Sequence, residues 1–87
     1  MWQILRAKIF DRQYKNLGSV RQEIVDKALI ILSESENPAD LGEYKSNLRV
    51  WSYELNRHDR IVYRIEYKEN IIHLLRVCDH KSVFGKD

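Results

Sequence analysis

The sequence has few of the residues that cross-link a chain or break its regular structure. It has one cysteine, one proline and three glycines in 87 residues. The single cysteine, Cys78, cannot form an internal disulfide, which excludes a disulfide-stabilised secreted scaffold and favours a reducing cytoplasm. No apolar run reaches the roughly 18 residues of a membrane-spanning helix, and residues 1–6 lack the apolar segment of a signal peptide. We therefore expect a cytoplasmic protein without a membrane partner.

Length and charge restrict the function without fixing it. The chain is too short for a TIM barrel or a complete dinucleotide-binding domain, and we expect a single domain over residues 1–87. The formal net charge is +2. Residues 1–45 contain seven basic and seven acidic residues, so the positive excess lies in residues 46–87. This mild bias permits nucleic-acid binding but does not require it.

The first half of the chain has the hydropathy pattern of one strand and two helices. Residues 2–6 are predicted to form a short strand, and helical spacing follows up to Gly18. The segment Ser19–Gln22 fits a capping box at the start of a second helix with a wide apolar stripe. That helix must end before Pro38, and residues 38–47 are predicted to be a loop.

The second half has the pattern of strands. Residues 49–55 and 59–67 alternate between apolar and polar side chains, and residues 71–77 are almost continuously apolar. The predicted fold class is α+β with the order β-α-α-β-β-β, in which two N-terminal helices pack on one face of an antiparallel sheet. In this arrangement His73 is expected in the core.

The alternation also predicts a register for the first hairpin. If both apolar sets face the helices, Leu55 lies opposite Ile61 and the loop has three residues, 57–59. Two further pairs follow on the other face: Ser52 with Arg64, and Glu54 with Val62. That face is predicted to be open and to carry Ser52, Glu54, Asn56, Arg60, Arg64, Arg76 and His80.

Two segments of the second half resemble a known family. They are Asn47–Tyr63, with the sequence NLRVWSYELNRHDRIVY, and Leu75–His80, with the sequence LRVCDH. In order and spacing they are similar to the RelE/ParE toxin superfamily of type II toxin–antitoxin systems, closest to its YoeB/Txe branch. The resemblance implies a RelE-like fold and a ribosome-dependent endoribonuclease, an mRNA interferase that uses no metal and no cofactor. It also implies a cognate antitoxin as partner, and it leaves the oligomeric state open, a toxin–antitoxin heterotetramer included.

The resemblance implies roles for four residues. Arg60 matches the arginine that stabilises the phosphate, and His80 matches a C-terminal histidine that serves as acid or base. Lys45 matches a basic loop position. Glu43 is the nearest candidate for the family's catalytic glutamate, with an offset of one residue. The implied chemistry is attack of a ribose 2′-OH on the adjacent phosphorus, which needs a base, an acid and cations.

The other charged residues of the second half are further candidates for the site. Glu54 is a second candidate base, or else an ion-pair partner of Arg60 or Arg76. Arg64, Arg76 and Lys81 are candidates for RNA phosphate binding. Without the resemblance, Arg60 would be an ordinary surface cation paired with Glu54 or Asp59.

Several positions depart from the family pattern. Lys81 stands where the branch has a tyrosine, and Phe84 lacks the hydroxyl found a few residues further on in many relatives. Ser52 and Glu54 occupy positions that are often basic. These departures leave a second hypothesis open, a non-catalytic binding protein of the same fold, either a ParE-like gyrase poison or an inactive family member. A generic nucleic-acid-binding domain is the alternative outside the family.

Overall fold

The computed structural model describes residues 1–79 of the chain, which form two helices and five strands. In chain order the elements are β1 (Gln3–Arg6), α1 (Lys8–Lys15), α2 (Ser19–Glu34), a 3₁₀ turn (Pro38–Leu41), β2 (Glu43–Lys45), β3 (Val50–Glu54), β4 (Asp59–Glu66) and β5 (Ile71–Asp79). The α+β class is confirmed, and β2 is added to the predicted order. Within these residues no helix is long and apolar enough to cross a membrane.

The five strands form one mixed sheet in the order β1-β5-β4-β3-β2. The pairs β2–β3, β3–β4 and β4–β5 are antiparallel, whereas β1 runs parallel to β5. The expectation of a purely antiparallel sheet is therefore wrong for β1. Two helices separate β1 from the other strands, so a tight hairpin is unavailable to it, and it joins the sheet beside the last strand.

Strand β2 lies in a segment that was predicted to be a loop. Pro38 begins a 3₁₀ turn in which the Asn37 side chain accepts a hydrogen bond from the Ala39 backbone N–H. The three residues that follow Gly42 then pair with β3. Tyr44 lies 4.8 Å from Trp51, measured between ring centroids. This cross-strand aromatic contact supports a strand too short to have a periodic signature in the sequence.

The two helices meet at a glycine turn. Gly18 has a φ of 87°, a left-handed conformation that favours glycine, and it occupies the N-cap of α2. The predicted capping box is wrong. Gln22 instead donates from its side-chain amide to the Tyr14 carbonyl at 2.8 Å, in the last turn of α1. The same carbonyl also accepts the Leu17 backbone N–H at 3.1 Å.

The core lies between the helices and one face of the sheet. The helices contribute four buried residues to the core, which are Phe10 of α1 and Val25, Ala28 and Leu32 of α2. These residues pack against buried residues of β4 and β5, which are Ile61, Tyr63, Ile72, Leu74 and Val77. The apolar stripe predicted for α2 is only partly buried, since Val20 is 73% and Ile31 49% exposed. Tyr63 donates from its buried hydroxyl to the Pro38 carbonyl at 2.7 Å.

The β3–β4 hairpin keeps the predicted faces but not the predicted register. Tyr53 lies opposite Ile61, and Ser52 lies opposite Val62, so each β3 residue is two positions away from its expected partner. The Asn56 side chain accepts the backbone N–H groups of His58 and Asp59 at 2.8 and 2.9 Å. The Leu55 N–H donates to the Asp59 carbonyl at 2.9 Å, so the loop of this Asn56 turn still has three residues but spans 56–58 instead of 57–59. Moving the loop by one residue shifts the register by two, the smallest shift that preserves which side chains face the core.

A bulge in β5 changes the faces predicted for that strand. Tyr63 pairs with Leu74 while Val62 pairs with Arg76, which leaves Leu75 as an extra residue. An extra residue reverses the alternation beyond it. His73 consequently lies opposite Arg64, on the face of Arg76 and away from the core. The prediction of His73 as a core histidine is wrong. Its ring nitrogen lies 3.3 Å from Glu66 at the surface.

Candidate functional site

One face of the sheet is turned away from both helices and collects most of the predicted site residues. We call it the outer face. Assigned from the pairing registers, its members include Glu43, Lys45, Val50, Ser52, Glu54, Arg60, Val62, Arg64, Glu66, His73, Leu75 and Arg76. Six of the eight predicted site residues are therefore on one surface. They come from four different strands, so the fold brings together positions as far apart in sequence as 43 and 76.

Glu54 and Arg60 are direct neighbours across the β3–β4 hairpin. The Arg60 Nη1 atom lies 4.0 Å from the Glu54 Oε1 atom, and the side chains are 21% and 60% exposed. This distance is too long for a hydrogen bond, so the attraction is electrostatic only. The guanidinium therefore keeps donors for a phosphate, and a carboxylate stands next to it. The predicted pairing of Glu54 with Val62 is replaced by this charged pair.

Glu43 and Lys45 reach the outer face through β2, the unpredicted edge strand. Glu43 lies opposite Ser52, and Lys45 lies opposite Val50. The Lys45 Nζ atom is 3.3 Å from a Glu43 carboxylate oxygen. Because strands are about 4.8 Å apart, two strand spacings separate Glu43 from β4 and Arg60. Glu54 is thus the carboxylate beside Arg60, and Glu43 is not.

Arg64 and Arg76 add positive charge on β4 and β5. Arg64 donates to the backbone carbonyls of Arg49 and Leu48 at 3.3 and 3.5 Å, both weak contacts. Arg76 is exposed, and within residues 1–77 its side chain has no ion pair. The predicted alternative of a Glu54–Arg76 pair does not form. Both guanidinium groups remain accessible to an anion.

The centre of the outer face is apolar. Val50 and Val62 are buried and pack with Leu75, the residue added by the bulge. Ser52 is 2% exposed, and its hydroxyl has no hydrogen-bond partner among the residues described. The charged side chains therefore surround a small apolar patch.

The last two predicted site residues, His80 and Lys81, lie outside the described residues. The described part of β5 leads to them, since Cys78 pairs with Arg60 and Asp79 pairs with Asp59. The backbone thus reaches residue 79 at the end of the sheet that carries Arg60 and Glu54.

Sequence reasoning missed an ion pair on the opposite face. Asp59 is 3% exposed, and its two oxygens accept from Nε and Nη2 of Arg21, the Nε bond measuring 2.8 Å. The Arg21 hydrogen bond holds the pKa of the Asp59 carboxyl below its usual value. Asp59 is thereby removed as a partner of Arg60. Nothing in the local sequence indicated a bond across 38 residues.

Among the described residues, no three His, Cys, Asp or Glu side chains come close enough together to hold a metal ion. The outer face places arginines beside carboxylates. Arginines can bind an anion, and carboxylates can accept and release protons.

Several solved structures that match the chain are small toxins of toxin–antitoxin systems, and the chain shares their fold. The E. coli RelBE toxin–antitoxin complex contains a chain matched with a TM-score of 0.78 at 16% identity, over 91% of this chain and 96% of that one. A metal-bound toxin from Helicobacter pylori matches with a TM-score of 0.75 at 25% identity, over 97% and 100% of the two chains. A chain of the YoeB–YefM complex from Staphylococcus aureus matches with a TM-score of 0.70 at 21% identity, over 92% and 98%.

These matches confirm the fold that the resemblance implied. The chain has the fold of the RelE superfamily of toxins, and a YoeB complex is among the structures that share it. No family profile and no curated protein sequence matches the chain. The likeness is therefore one of structure, over almost the whole length of the chain.

Proposed function

We propose that this protein is the toxin of a type II toxin–antitoxin pair and that it cleaves mRNA on the ribosome, in the cytoplasm. The observation that carries the proposal is the charged pair of Glu54 and Arg60 on an outer face that also holds Arg64 and Arg76. The RelBE and YoeB–YefM neighbours are toxin–antitoxin complexes, which supports a cognate antitoxin as partner.

Arg60 is assigned the role of binding the scissile phosphate. Attack of the ribose 2′-OH on phosphorus adds negative charge to the non-bridging oxygens, and a guanidinium placed there stabilises that charge. Arg64 and Arg76 hold neighbouring phosphates of the RNA. Lys45 and Lys81 are proposed to add positive charge that contributes to RNA binding and not to proton transfer.

Glu54 is assigned the role of the base that accepts the 2′-OH proton, because its carboxylate lies beside Arg60. The 2′-oxygen then bonds to phosphorus, and the bond to the 5′-oxygen breaks. His80 is proposed to donate the proton that the departing 5′-oxygen takes up. The products are a 2′,3′-cyclic phosphate and a 5′-hydroxyl. Glu43 is the alternative base.

The test is controlled expression with and without the antitoxin, followed by mapping of 5′ ends in translated mRNA. Wild type should arrest growth and create new ends, while naked RNA is cut poorly. Arg60→Ala and His80→Gln should each lower the cleavage rate about 100-fold or more. Arg12→Ala is the matched control, because Arg12 is exposed on α1. Normal cleavage by folded Arg60→Ala would contradict the proposal.

A second candidate function is non-catalytic binding, as in a gyrase poison or an inactive family member. It is favoured by the carboxylates that accompany two of the cations, Glu54 beside Arg60 and Glu43 beside Lys45. The same experiment separates the candidates. Growth arrest with intact mRNA and with gyrase trapped on DNA would support the poison, and unaffected growth would support the inactive protein.

A further inference from the structure

A cavity lies at the end of the sheet where the β3–β4 loop meets the first turns of α2. Its volume is about 490 Å³, and it is lined by Arg21, Asn56, Arg57, His58 and Asp59. Arg21 and Asp59 lie on the helix side of the sheet, and residues 56–58 form the loop between β3 and β4. We call this cavity the hairpin pocket.

The one acidic residue of the hairpin pocket is already neutralised. Asp59 is almost completely buried, and both of its carboxylate oxygens accept hydrogen bonds from Arg21. Arg57 and His58 are exposed on the loop. Arg57 has no ion pair or side-chain hydrogen bond within the described part of the chain. The accessible charge of the pocket is therefore positive.

The loop that carries Arg57 and His58 is braced by internal hydrogen bonds. The Asn56 side chain accepts the N–H groups of His58 and Asp59, and the backbone N–H of Leu55 donates to the Asp59 carbonyl at 2.9 Å. A ligand therefore does not have to order the backbone of the loop, which lowers the entropic cost of binding.

The hairpin pocket is at the end of the same hairpin that carries the proposed catalytic residues. Asp59 directly precedes Arg60, and Asn56 lies two residues after Glu54, with about 3.3 Å of strand per residue. We propose that the hairpin pocket binds a phosphodiester group of RNA through Arg57 and His58, as a second anchor beside Arg60. This inference rests on the proposed function, since it assumes that RNA is the ligand of the neighbouring face.

The primary test is a binding measurement that does not need cleavage. The probe is a fluorescent single-stranded 2′-O-methyl RNA, which has no free 2′-OH and cannot be cut by the proposed reaction. Arg57→Gln should weaken its binding about tenfold at low salt. The slope of log affinity against log salt concentration should fall by about 0.7 for one lost phosphate contact. Arg12→Gln, the matched control on α1, should keep the wild-type affinity and slope.

A methylphosphonate version of the probe, which has no backbone charge, should bind wild type and Arg57→Gln equally weakly. Unchanged melting temperatures would show that the variants are folded, as expected for exposed residues. If Arg57→Gln and His58→Gln both keep the wild-type salt slope, the hairpin pocket does not bind RNA phosphate and the inference is overturned.

Two further arms identify the source of the phosphate. Weaker binding of Arg57→Gln to ribosomes without mRNA would indicate ribosomal RNA, and weakening only on mRNA-loaded ribosomes would indicate the substrate. The two proposals also fail separately. If the wild type cuts no mRNA, and Arg57→Gln nevertheless lowers the salt slope of RNA binding, the nuclease proposal is refuted and the hairpin-pocket proposal is supported. If the wild type cuts mRNA, and Arg57→Gln leaves the salt slope unchanged, the nuclease proposal is supported and the hairpin-pocket proposal is refuted.

Discussion

Arg21 in the first turn of α2 and Asp59 at the start of β4 are joined by two hydrogen bonds across 38 residues of sequence. The Asp59 side chain is 4% exposed and the Arg21 side chain 46%. The pair therefore fixes the start of the long helix to the end of the sheet that carries Glu54 and Arg60. It connects the packing of the core with the position of the candidate site.

Asp59→Asn should destabilise the fold. The amide keeps the volume but loses the charge, and Arg21 then loses a bidentate partner. Arg21 is half exposed and can be partly rehydrated, so we expect a loss of about 1–3 kcal/mol in the free energy of unfolding. Urea denaturation measures this directly. Asp40→Asn, at an exposed position of the 3₁₀ turn, is the control and should be close to neutral.

The same pair predicts a pH dependence. Because Arg21 lowers the pKa of Asp59 in the folded state, the stabilisation is present above the ordinary pKa of about 3.9 and is lost as the pH falls through the lower, folded value. Wild type should therefore lose stability below about pH 4 more steeply than Asp59→Asn does. Parallel unfolding curves of the two proteins in this range would contradict the account.

Gly42 should tolerate no larger side chain. A Cβ atom at this position would collide with the Tyr63 hydroxyl and lie 3.1 Å from the Ser52 carbonyl oxygen. The backbone of Gly42 is extended, so the penalty is steric and not conformational. We expect Gly42→Ala to cost about 1–3 kcal/mol in unfolding free energy.

Tyr63→Phe tests the origin of that penalty, because it removes the hydroxyl that collides. Alone it should destabilise by about 1–3 kcal/mol, since the Pro38 carbonyl loses its buried donor. In the double variant the two losses should be less than additive. Full additivity would show that the Gly42 Cβ meets no obstacle at Tyr63.

Ser52→Ala should be neutral or stabilising by up to about 1 kcal/mol, because it removes a buried hydroxyl without a partner among the residues described. Chemical denaturation of the variant, with Ser46→Ala as an exposed control, measures the difference. A clear destabilisation would mean that the Ser52 hydroxyl has a stabilising contact.

The sequence predicted the helices and strands that have a strong hydropathy period. It did not predict features that depend on individual side-chain contacts, such as the hairpin register. The apolar alternation of β3 and β4 correctly assigned Tyr53 and Ile61 to the core face, because a polar residue there would be buried. The register was wrong by two residues, since the Asn56 turn depends on side-chain hydrogen bonds that leave no periodic pattern. Strand β2 was missed because three residues cannot display a period.

The candidate site shows the same division. Arg60 and Glu54 were assigned to the outer face correctly, since alternation alone places them there. Their direct pairing depends on the register, and the position of His73 depends on the bulge at Leu75, so neither could be derived from the pattern. The Arg21–Asp59 pair joins a helix to a strand, and such contacts depend on packing geometry that hydropathy does not encode.

Glu54 and Arg60 provide the most direct test of the proposed chemistry. Glu54→Gln keeps the shape of the side chain but cannot accept the 2′-OH proton, so single-turnover cleavage on programmed ribosomes should slow by about 100- to 10,000-fold. Combined with Arg60→Ala, the loss should be less than the product of the two single losses, because both residues act on one transition state. Glu54→Gln alone should change the free energy of unfolding by less than about 1 kcal/mol, because the Glu54 side chain is 60% exposed. Glu69→Gln, at an exposed position of the β4–β5 turn, is the matched control and should cleave normally. If Glu54→Gln cleaves at the wild-type rate, Glu54 is only the ion-pair partner of Arg60, and the base must be sought at Glu43 or His80.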